Sequence, residues 1–542
     1  YQLRGVAGFF SEHQLAAWTA LSMFSGKLPQ LASRPPLKRT AILGGAFDPP
    51  TLNHMLGAAE VVHSGEVDEV WLVPCGHRPD KPHVSPVLDR YILTQISANT
   101  FFSFDFPVHV SDEELKAPEM IPTYDLLRSL RRKHTDREFL LVIGTDWLQP
   151  GTDIRQWTSK DENGRDIVTG HLLLAEFDFL VIPRPGYDVP NNDLKAFGPR
   201  LRWLQMPSGA NMMEGNISST EIRKRMDISS QLLDGPELIE GLATPAVIAY
   251  ICRRGLYRQH PRTQARVLSR AISRDISSGR LSHPSDNNQR LLPSSSSANC
   301  CFSWVRRPLR QPKQRRNVAV FGGAFDPPTH SHILGLAEII RSGIADEVLM
   351  VPCGPRPDKP HLSPALTRYI MCELAVASSF SHRMPISVSS LEVFEEKALA
   401  TYDSLRALRK NDPSANLMFV VGSDWLQGGS DIRQWTSRCP DTGKDIVTGD
   451  KLLNEFDFLV IKRPGFEAEN LSSFGPRMIW LNLPHGMKPV QANMSSTEVR
   501  KRAKMCYNGS LGEELQSSLQ LIDGIVPQSV FNFIKRQHVY KS

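Results

Sequence analysis

Several features are missing from these 542 residues, and each absence removes a class of protein. No apolar run approaches the ~20 residues that a membrane-spanning helix needs. The eight cysteines are scattered, with no Cys-x-x-Cys and one adjacent pair, Cys300-Cys301. That spacing argues against a zinc site and for a reducing compartment. Cys75 and Cys353, at matching places in two Val-Pro-Cys-Gly stretches, read as buried packing residues. Neither a Gly-x-x-x-x-Gly-Lys-Ser/Thr loop nor a Gly-x-Gly-x-x-Gly turn is present, and no Lys-Met-Ser-Lys-Ser. Excess positive charge is absent from most of the chain, although the net charge is +6. Between Arg258 and Arg316, 13 Arg and Lys stand against 2 Asp, and the first 40 residues hold five basic groups against one acid. The rest is therefore net −9, so the high pI of about 8.8 belongs to connecting segments and no nucleic-acid groove is expected. Hydrophobic content of 41% and charged content of 22% are those of an ordinary globular protein.

What is there is one stretch, present twice. Residues 44–54 read GGAFDPPTLNH and residues 322–332 read GGAFDPPTHSH, each between a short apolar run and a helical pattern. Gly44, Gly45, Gly322 and Gly323 let the backbone turn with no Cβ in the way. Two prolines stiffen the loop. Thr51 with His54, and Thr329 with His332, lie three apart on one face of the helix start. Free N–H groups and the helix dipole make that place attractive to an anion. The alternative is a tight strand-to-helix connection and nothing more.

The repetition extends along the chain. From Gly44 to Gly76 against Gly322 to Gly354, 22 of 33 positions are identical, at an offset of 278. That period means duplicated domains, not a solenoid. Strands are expected at 40–44, 69–74, 107–111, 138–143, 178–183 and 201–205, and again at 317–322, 347–352, 386–390, 417–422, 457–461 and 478–483. Their alternation with helical patterns predicts an α/β fold, a mostly parallel sheet with helices on both faces in each copy. The domains are placed at 38–258 and 317–542, each expected to fold alone. Residues 1–37 form an N-terminal extension, for which a targeting peptide and a disordered segment both fit. Residues 259–316, rich in Arg, Ser, Pro and Asn, read as a flexible basic linker, with a membrane- or nucleic-acid-binding stretch as the alternative.

A second motif closes each copy: Asn216-Ile-Ser218-Ser219-Thr220-Glu221-Ile-Arg223 and Asn493-Met-Ser495-Ser496-Thr497-Glu498-Val-Arg500. Ser-x-x-Glu fits a capping box and by itself marks only a helix start. The added hydroxyls and guanidinium suit phosphate oxygens, so a second helix start would grip the same anion from the other side.

The first motif resembles the G-x-F-x-P-x-H/T-x-x-H signature of the nucleotidyltransferase superfamily, with Phe47 and Phe325 in the aromatic slot. The second resembles the I-S-S-T-x-x-R motif of the nicotinate/nicotinamide mononucleotide adenylyltransferases. Further stretches resemble that family in order along each copy. They are Thr123-Tyr124-Asp125 and Thr401-Tyr402-Asp403, then Gly144-Thr145-Asp146-Trp147 and Gly422-Ser423-Asp424-Trp425. Trp157 and Trp435 follow as ring-stacking candidates, then Arg184-Pro-Gly and Arg463-Pro-Gly. The likeness covers roughly 220 residues of each copy, about four-fifths of the chain. Departures are Thr-Leu-Asn-His and Thr-His-Ser-His in place of His-x-Gly-His, and the order Asp80-Lys81-Pro82-His83, which leaves the role of Lys81 and Lys359 open.

The resemblance implies two Rossmann-like domains that transfer AMP from ATP to nicotinate or nicotinamide mononucleotide, releasing pyrophosphate. It implies Mg²⁺ with the ATP, His54, His332, Arg223 and Arg500 as catalytic groups, and the glycine loop with the Ser-Ser-Thr motif on phosphate. Lys81, Lys359, the Thr-Tyr and Asp-Trp pairs, Trp157, Trp435, Arg184 and Arg463 would hold the mononucleotide. The phosphate nucleophile is already anionic, so no general base is required. Holding two nucleotides in line is worth ~7–11 kcal/mol, and each donor on developing charge ~3–4 kcal/mol. A tandem cytidylyltransferase, a class I aminoacyl-tRNA synthetase and a chain with one non-catalytic copy are the rivals. The Thr-Tyr-Asp and Trp features, the missing Lys-Met-Ser-Lys-Ser and the intact motifs of both copies speak against them in turn. A cytoplasmic location is expected, with organelle, nucleus and homo-oligomer left open. If the linker is only a tether, neutralising Arg306, Arg307, Arg310, Arg315 and Arg316 leaves turnover and cellular distribution unchanged, as assay and fractionation would show.

Overall fold

The structure is a computed structural model that describes residues 37–257 and 315–541, apart from short segments at 79–80, 82, 118–119, 162, 190–193, 211, 213–216, 233–235, 357, 396–398, 428–430, 439–443, 464–470, 485–493 and 508–518. The N-terminal extension, almost all of the basic linker, Asp80, Pro82, Asn216, Gly465 and Asn493 lie outside the described residues.

The twelve expected strands all form, in two six-stranded sheets. The first lobe runs β1 (Lys38–Gly45), α1 (Leu52–His63), β2 (Glu69–Pro74), α2 (Val87–Phe101), β3 (Val108–Val110), α3 (Thr123–Lys133) and β4 (Arg137–Gly144). A small hairpin follows, β5 (Thr158–Lys160) and β6 (Asp166–Val168), then α4 (Gly170–Glu176), β7 (Asp178–Ile182), β8 (Leu201–Trp203), α5 (Ser219–Leu232) and α6 (Pro245–Arg254). The second lobe repeats the series: β9 (Arg316–Gly323), α7 (His330–Arg341), β10 (Glu347–Pro352), α8 (Ala365–Ser379), β11 (Ile386–Val388), α9 (Thr401–Asn411) and β12 (Ala415–Gly422). It ends with β13 (Thr436–Arg438), β14 (Asp445–Val447), α10 (Gly449–Glu455), β15 (Asp457–Ile461), β16 (Met478–Trp480), α11 (Ser496–Tyr507) and α12 (Gln528–Arg536). The hairpins β5–β6 and β13–β14 were not legible in the sequence, where three-residue strands leave no periodicity.

Strand order is β3-β2-β1-β4-β7-β8, matched by β11-β10-β9-β12-β15-β16, with every neighbouring pair parallel. Helices cover both faces, which is why β2 is buried at all six positions and reads, after Glu69, as an apolar run. The chain reverses direction of winding between β1 and β4, and between β9 and β12. In such sheets a crevice opens at the carboxyl ends of those two strands. Both glycine loops sit there.

Helices α2 and α8 are buried on more than one side. From Asp89 to Asn99 every residue of α2 is buried, although the sequence there includes Asp, Arg, Thr, Gln, Ser and Asn. One side packs on β2 and β3; another packs on α8 and α12 of the opposite lobe, while α6 packs on α8. One hydrophobic core therefore runs from lobe to lobe, through Ile92, Ile96, Tyr250, Met371, Leu374 and Phe531 among others. Polar residues survive because each finds a partner: Gln95 donates to the Tyr91 hydroxyl at 2.8 Å, and Tyr250 donates to Asp89 at 2.6 Å. The lobes also cap each other's helices. Arg253 donates to the Phe380 and Ser381 carbonyls after α8. Arg536 donates to the Asn99 amide oxygen at 2.7 Å and to the Ser103 carbonyl after α2. Asn532 adds a bond to the Asn99 carbonyl at 2.9 Å. Independent folding, expected from the duplication, would require an isolated lobe to expose this shared core and leave these helix ends uncapped. A duplication detects two copies; it does not say what lies between them.

Among these groups Glu373 of α8 is a carboxyl in the shared core, accepting from Tyr369 at 2.9 Å. Burial pushes it up to about 7, against the pull of Arg254 and Arg253 from the first lobe. Below its ordinary range the group is protonated in both folded and unfolded chains, and no stability is lost. As pH rises through about 7 the unfolded chain releases the proton more readily, so stability declines. Glu373→Gln is expected to raise the melting temperature by a few degrees at pH 8 and to change it little at pH 5, read by circular dichroism.

Candidate active site

Each site begins where β1 or β9 ends. The two glycines leave room for a ring: a Cβ on Gly323 would meet the Phe325 ring at 2.8 Å. Phe47 and Phe325 take φ of 48° and 49°, left-handed values that a bulky residue holds only when its surroundings fix it. Both rings are buried. The Asp48–Pro49 and Asp326–Pro327 peptides are cis.

The loop delivers Thr51 and His54 to the start of α1. Thr51 N–H donates to His54 Nδ1 at 3.0 Å, and Thr329 N–H to His332 Nδ1 at 3.0 Å. A nitrogen that accepts a backbone N–H carries no proton, so the neutral ring holds its proton on Nε2, as a donor. Burial lowers both histidines from 6.5 to about 4, helped by the positive charge of Arg184 and Arg463. These are neutral hydrogen-bond donors, not imidazolium ions.

The second motif docks onto the first loop. Ser219 donates to the Pro49 carbonyl at 2.7 Å and Thr51 to the Ile217 carbonyl at 3.3 Å. Arg223 donates to the Asp48 carbonyl and to Thr220 at 3.2 Å. The second lobe repeats this: Ser496 to Pro327 at 2.8 Å, Thr329 to Met494 at 3.2 Å, Arg500 to Asp326 at 2.6 Å and to Thr497 at 3.3 Å. The two helix starts thus face one place, as expected. Two details differ from the sequence reading. Ser218 accepts from Glu221 N–H at 3.2 Å, but the Glu221 carboxylate turns to Arg225 at 2.8 Å, so the reciprocal half of the box is replaced by an i,i+4 ion pair. Arg223 and Arg500 are spent on loop carbonyls, and Arg500 stands outside the cavity lining.

In the second lobe these parts surround a cavity of about 1630 Å³. Gly322, Gly323, Phe325 and His332 line it, as do Ser495, Ser496 and Thr497. Thr401, Tyr402, Trp425 and Trp435 belong to the same lining. The tryptophans meet edge to face, at 5.2 Å for Trp425–Trp435, which line the cavity, and at 5.0 Å for the matching Trp147–Trp157. Tyr402 and Tyr124 commit their hydroxyls to Glu455 and Glu176 at 2.7 and 2.6 Å, which leaves the ring and helix start to face a ligand. Lys359 and Arg463 also line the cavity. Lys81 and Thr123 occupy the matching positions of the first lobe.

Asp146 pairs with Arg184 through Oδ2 at 2.7 Å and keeps a buried Oδ1 without a hydrogen bond, while the buried Oδ1 of Asp424 is the oxygen that faces Arg463 at 3.2 Å. Gly144 makes this pairing possible, because a Cβ there would lie 2.3 Å from Asp146 and 3.0 Å from Arg184. Residues that the sequence reading missed include Arg356, Glu392, Phe419 and Lys462, all in the lining. The Arg of the repeated Arg-Pro-Asp-Lys-Pro was a signal for the first; Glu392, which accepts from Gly354 N–H at 2.9 Å, left none.

Parallel sheet order, two helix starts converging on one crevice, and neutral histidine donors define a nucleotidyltransferase. The chain belongs to the cytidylyltransferase-like family, whose model matches residues 42–225 and 320–502, one match in each lobe. It is 30% identical over 239 residues to a protein of Halalkalibacterium halodurans named a probable nicotinate-nucleotide adenylyltransferase, covering 44% of this chain and 100% of that one. The nicotinate-nucleotide adenylyltransferase of Bacillus subtilis is 24% identical over 229 residues, 42% of this chain and 100% of its own. Among solved structures, the Plasmodium falciparum nicotinic acid mononucleotide adenylyltransferase complexed with NaAD shares 27% identity, covers 41% of this chain and 97% of its own, and gives a TM-score of 0.32.

Two outcomes follow. Turnover should show no ionisation near 6.5, and should fall only towards pH 4, where protonation puts a hydrogen on Nδ1 against the Thr51 N–H. The fold weakens over the same range, since the unfolded histidines take up protons from 6.5 downwards and the folded ones do not. A pH–rate profile with an inflection at 6–7 that disappears in the histidine variants would contradict this. Gly144→Ala, in a chain whose second lobe is silenced, should cut activity tenfold or more by displacing Asp146 and Arg184.

Proposed function

We propose that each lobe transfers AMP from ATP to nicotinate mononucleotide, forming deamido-NAD and pyrophosphate in NAD biosynthesis. The observation that carries the reading is the convergence of both motifs on one cavity, whose lining includes His332 with Nδ1 taken by the Thr329 N–H and Nε2–H left as the donor. The names of the relatives support the pyridine mononucleotide. The cations Arg356, Lys359, Lys462 and Arg463 around the cavity support the nicotinate form, whose carboxylate adds one negative charge. The nicotinamide form competes for the same place and is distinguished by assay.

ATP lies with its triphosphate across the glycine loop, between the starts of α7 and α11, and the mononucleotide ring lies against Trp425 and Trp435. Its 5′-phosphate oxygen attacks the α-phosphorus, the bond to the bridging oxygen breaks, and pyrophosphate leaves with that electron pair. His332 Nε2–H donates to the phosphate oxygens as charge builds up. Arg500, through the Asp326 carbonyl, holds the loop that presents the backbone donors. No proton needs to move, in keeping with histidines held neutral.

Mg²⁺ fits an arrangement in which the ion arrives with ATP. Among the described residues no cluster of three or more His, Cys, Asp or Glu could cage a metal. Asp146 keeps Oδ1 outside its ion pair with Arg184, compatible with an ion held chiefly by phosphate oxygens and water, whereas the corresponding Asp424 oxygen faces Arg463. When bound, Mg²⁺ neutralises charge on the triphosphate.

The duplication supplies its own control. His54→Ala is expected to leave about half the turnover and His332→Ala the other half, while the double variant falls by ~10²–10³. Steady-state rates on both mononucleotides, with circular dichroism as a folding check, decide it. A single variant that abolishes activity shows the other lobe to be silent. A double variant near the wild-type rate makes these histidines structural.

A further inference from the structure

Asp48 and Asp326 lie within the two phosphate loops, and neither is exposed at all. Their carboxylates are held from two directions. One oxygen accepts the backbone N–H of Ser85 at 3.1 Å, or of Ser363 at 2.9 Å. The other accepts a tyrosine hydroxyl, Tyr257 at 2.7 Å and Tyr540 at 2.8 Å. Both tyrosines adopt left-handed backbone angles, φ of 63° and 73°, just beyond α6 and α12. Those two helices are the ones that reach across. Four residues before Tyr257, Arg253 caps the end of α8 in the second lobe. Four residues before Tyr540, Arg536 caps the end of α2 in the first.

We propose that Tyr257 and Tyr540 are positioning residues: each ties the phosphate loop of its own lobe to a segment anchored on the opposite lobe, so each active site takes part of its geometry from the other. The inference rests on the reading of these loops as the ATP site. A loop that holds a phenylalanine at φ 48° relaxes unless several contacts fix it. The tyrosine bond is one of them, and it joins the same aspartate whose carbonyl receives Arg223 or Arg500. Relaxation by a fraction of an ångström moves the backbone donors away from the transition state while leaving them able to hold ground-state ATP. The reciprocal arrangement makes the tether a mutual one. The first lobe's loop depends on a helix seated on the second lobe, and the reverse.

The test removes one oxygen per site. In the full chain, Tyr257→Phe/Tyr540→Phe is expected to lower kcat about tenfold, with KM for ATP and mononucleotide within about twofold and the circular dichroism spectrum unchanged. This does not depend on which lobe turns over. If kcat stays at the wild-type value, whatever the melting temperature, the hydroxyls are structural and the proposal is overturned. A large rise in KM at constant kcat overturns it as well, because the effect is then on binding. Should the double variant not fold, Tyr257→Phe in the His332→Ala chain, or Tyr540→Phe in the His54→Ala chain, reads the same split. Passage through the interface is read by Arg253→Ala in the His332→Ala chain and Arg536→Ala in the His54→Ala chain, each of which leaves active the lobe whose loop the arginine's helix tethers. Each is expected to slow the intact lobe at least threefold, and no change in either removes the inter-lobe part. A wild-type chain that makes no dinucleotide fails the functional reading instead, which is seen before any tyrosine variant is measured.

Discussion

Everything in this molecule hangs on a buried arginine, present once in each lobe. Arg90 stands on α2 with no exposed surface and spends its guanidinium on carbonyls: Ser85 at 2.9 Å, Ala46 at 3.1 Å, Gly76 at 2.7 Å and Cys75. Arg368 on α8 does the same with Ser363, Ala324 and Gly354, each at 2.9 Å. A rigid fork with five N–H groups can fasten several separate strands of backbone at one point, which a lysine cannot. The points it fastens are the glycine loop and the turn after the next strand, the two walls of the crevice. Removing it would leave those carbonyls buried without donors, at about 1–3 kcal/mol each.

The same arginines explain why the active site and the lobe interface are not independent. Each is carried by a helix whose other side is packed on the opposite lobe, so the support of the phosphate loop and the inter-lobe core are two sides of one helix. The tyrosine–aspartate bonds enter the same loops from the second pair of interface helices. Catalysis by alignment needs this rigidity more than it needs reactive side chains. On the proposed reaction the nucleophile arrives charged and the histidines act as neutral donors, so the protein's contribution would be placement.

The copies have not stayed equal. Phe419 and Lys462 in the cavity of the second lobe correspond to Leu141 and Pro183 in the first. At the interface Glu373 stands where the first lobe has Gln95, and the arginines that offset its charge, Arg254 and Arg253, come from the other copy. The interface has thus become specific to one lobe meeting the other.

From the sequence alone came the duplication, the α/β class, all twelve strands, and both motifs with Thr51–His54 and Thr329–His332 at helix starts. These are local properties: strand–turn–helix patterns are written in contiguous residues, and a repeat displays them twice. Tertiary structure decided the rest, because it depends on residues far apart in the chain. It turned Arg223 and Arg500 onto loop carbonyls 175 and 174 positions away, and it fixed the histidine tautomer through a bond that spacing only allowed. It also buried α2, whose polar composition reads as a surface helix, since its partners Tyr250, Asn532 and Arg536 come from distant segments that no local pattern connects to it. That burial is what makes two copies of a domain into one molecule.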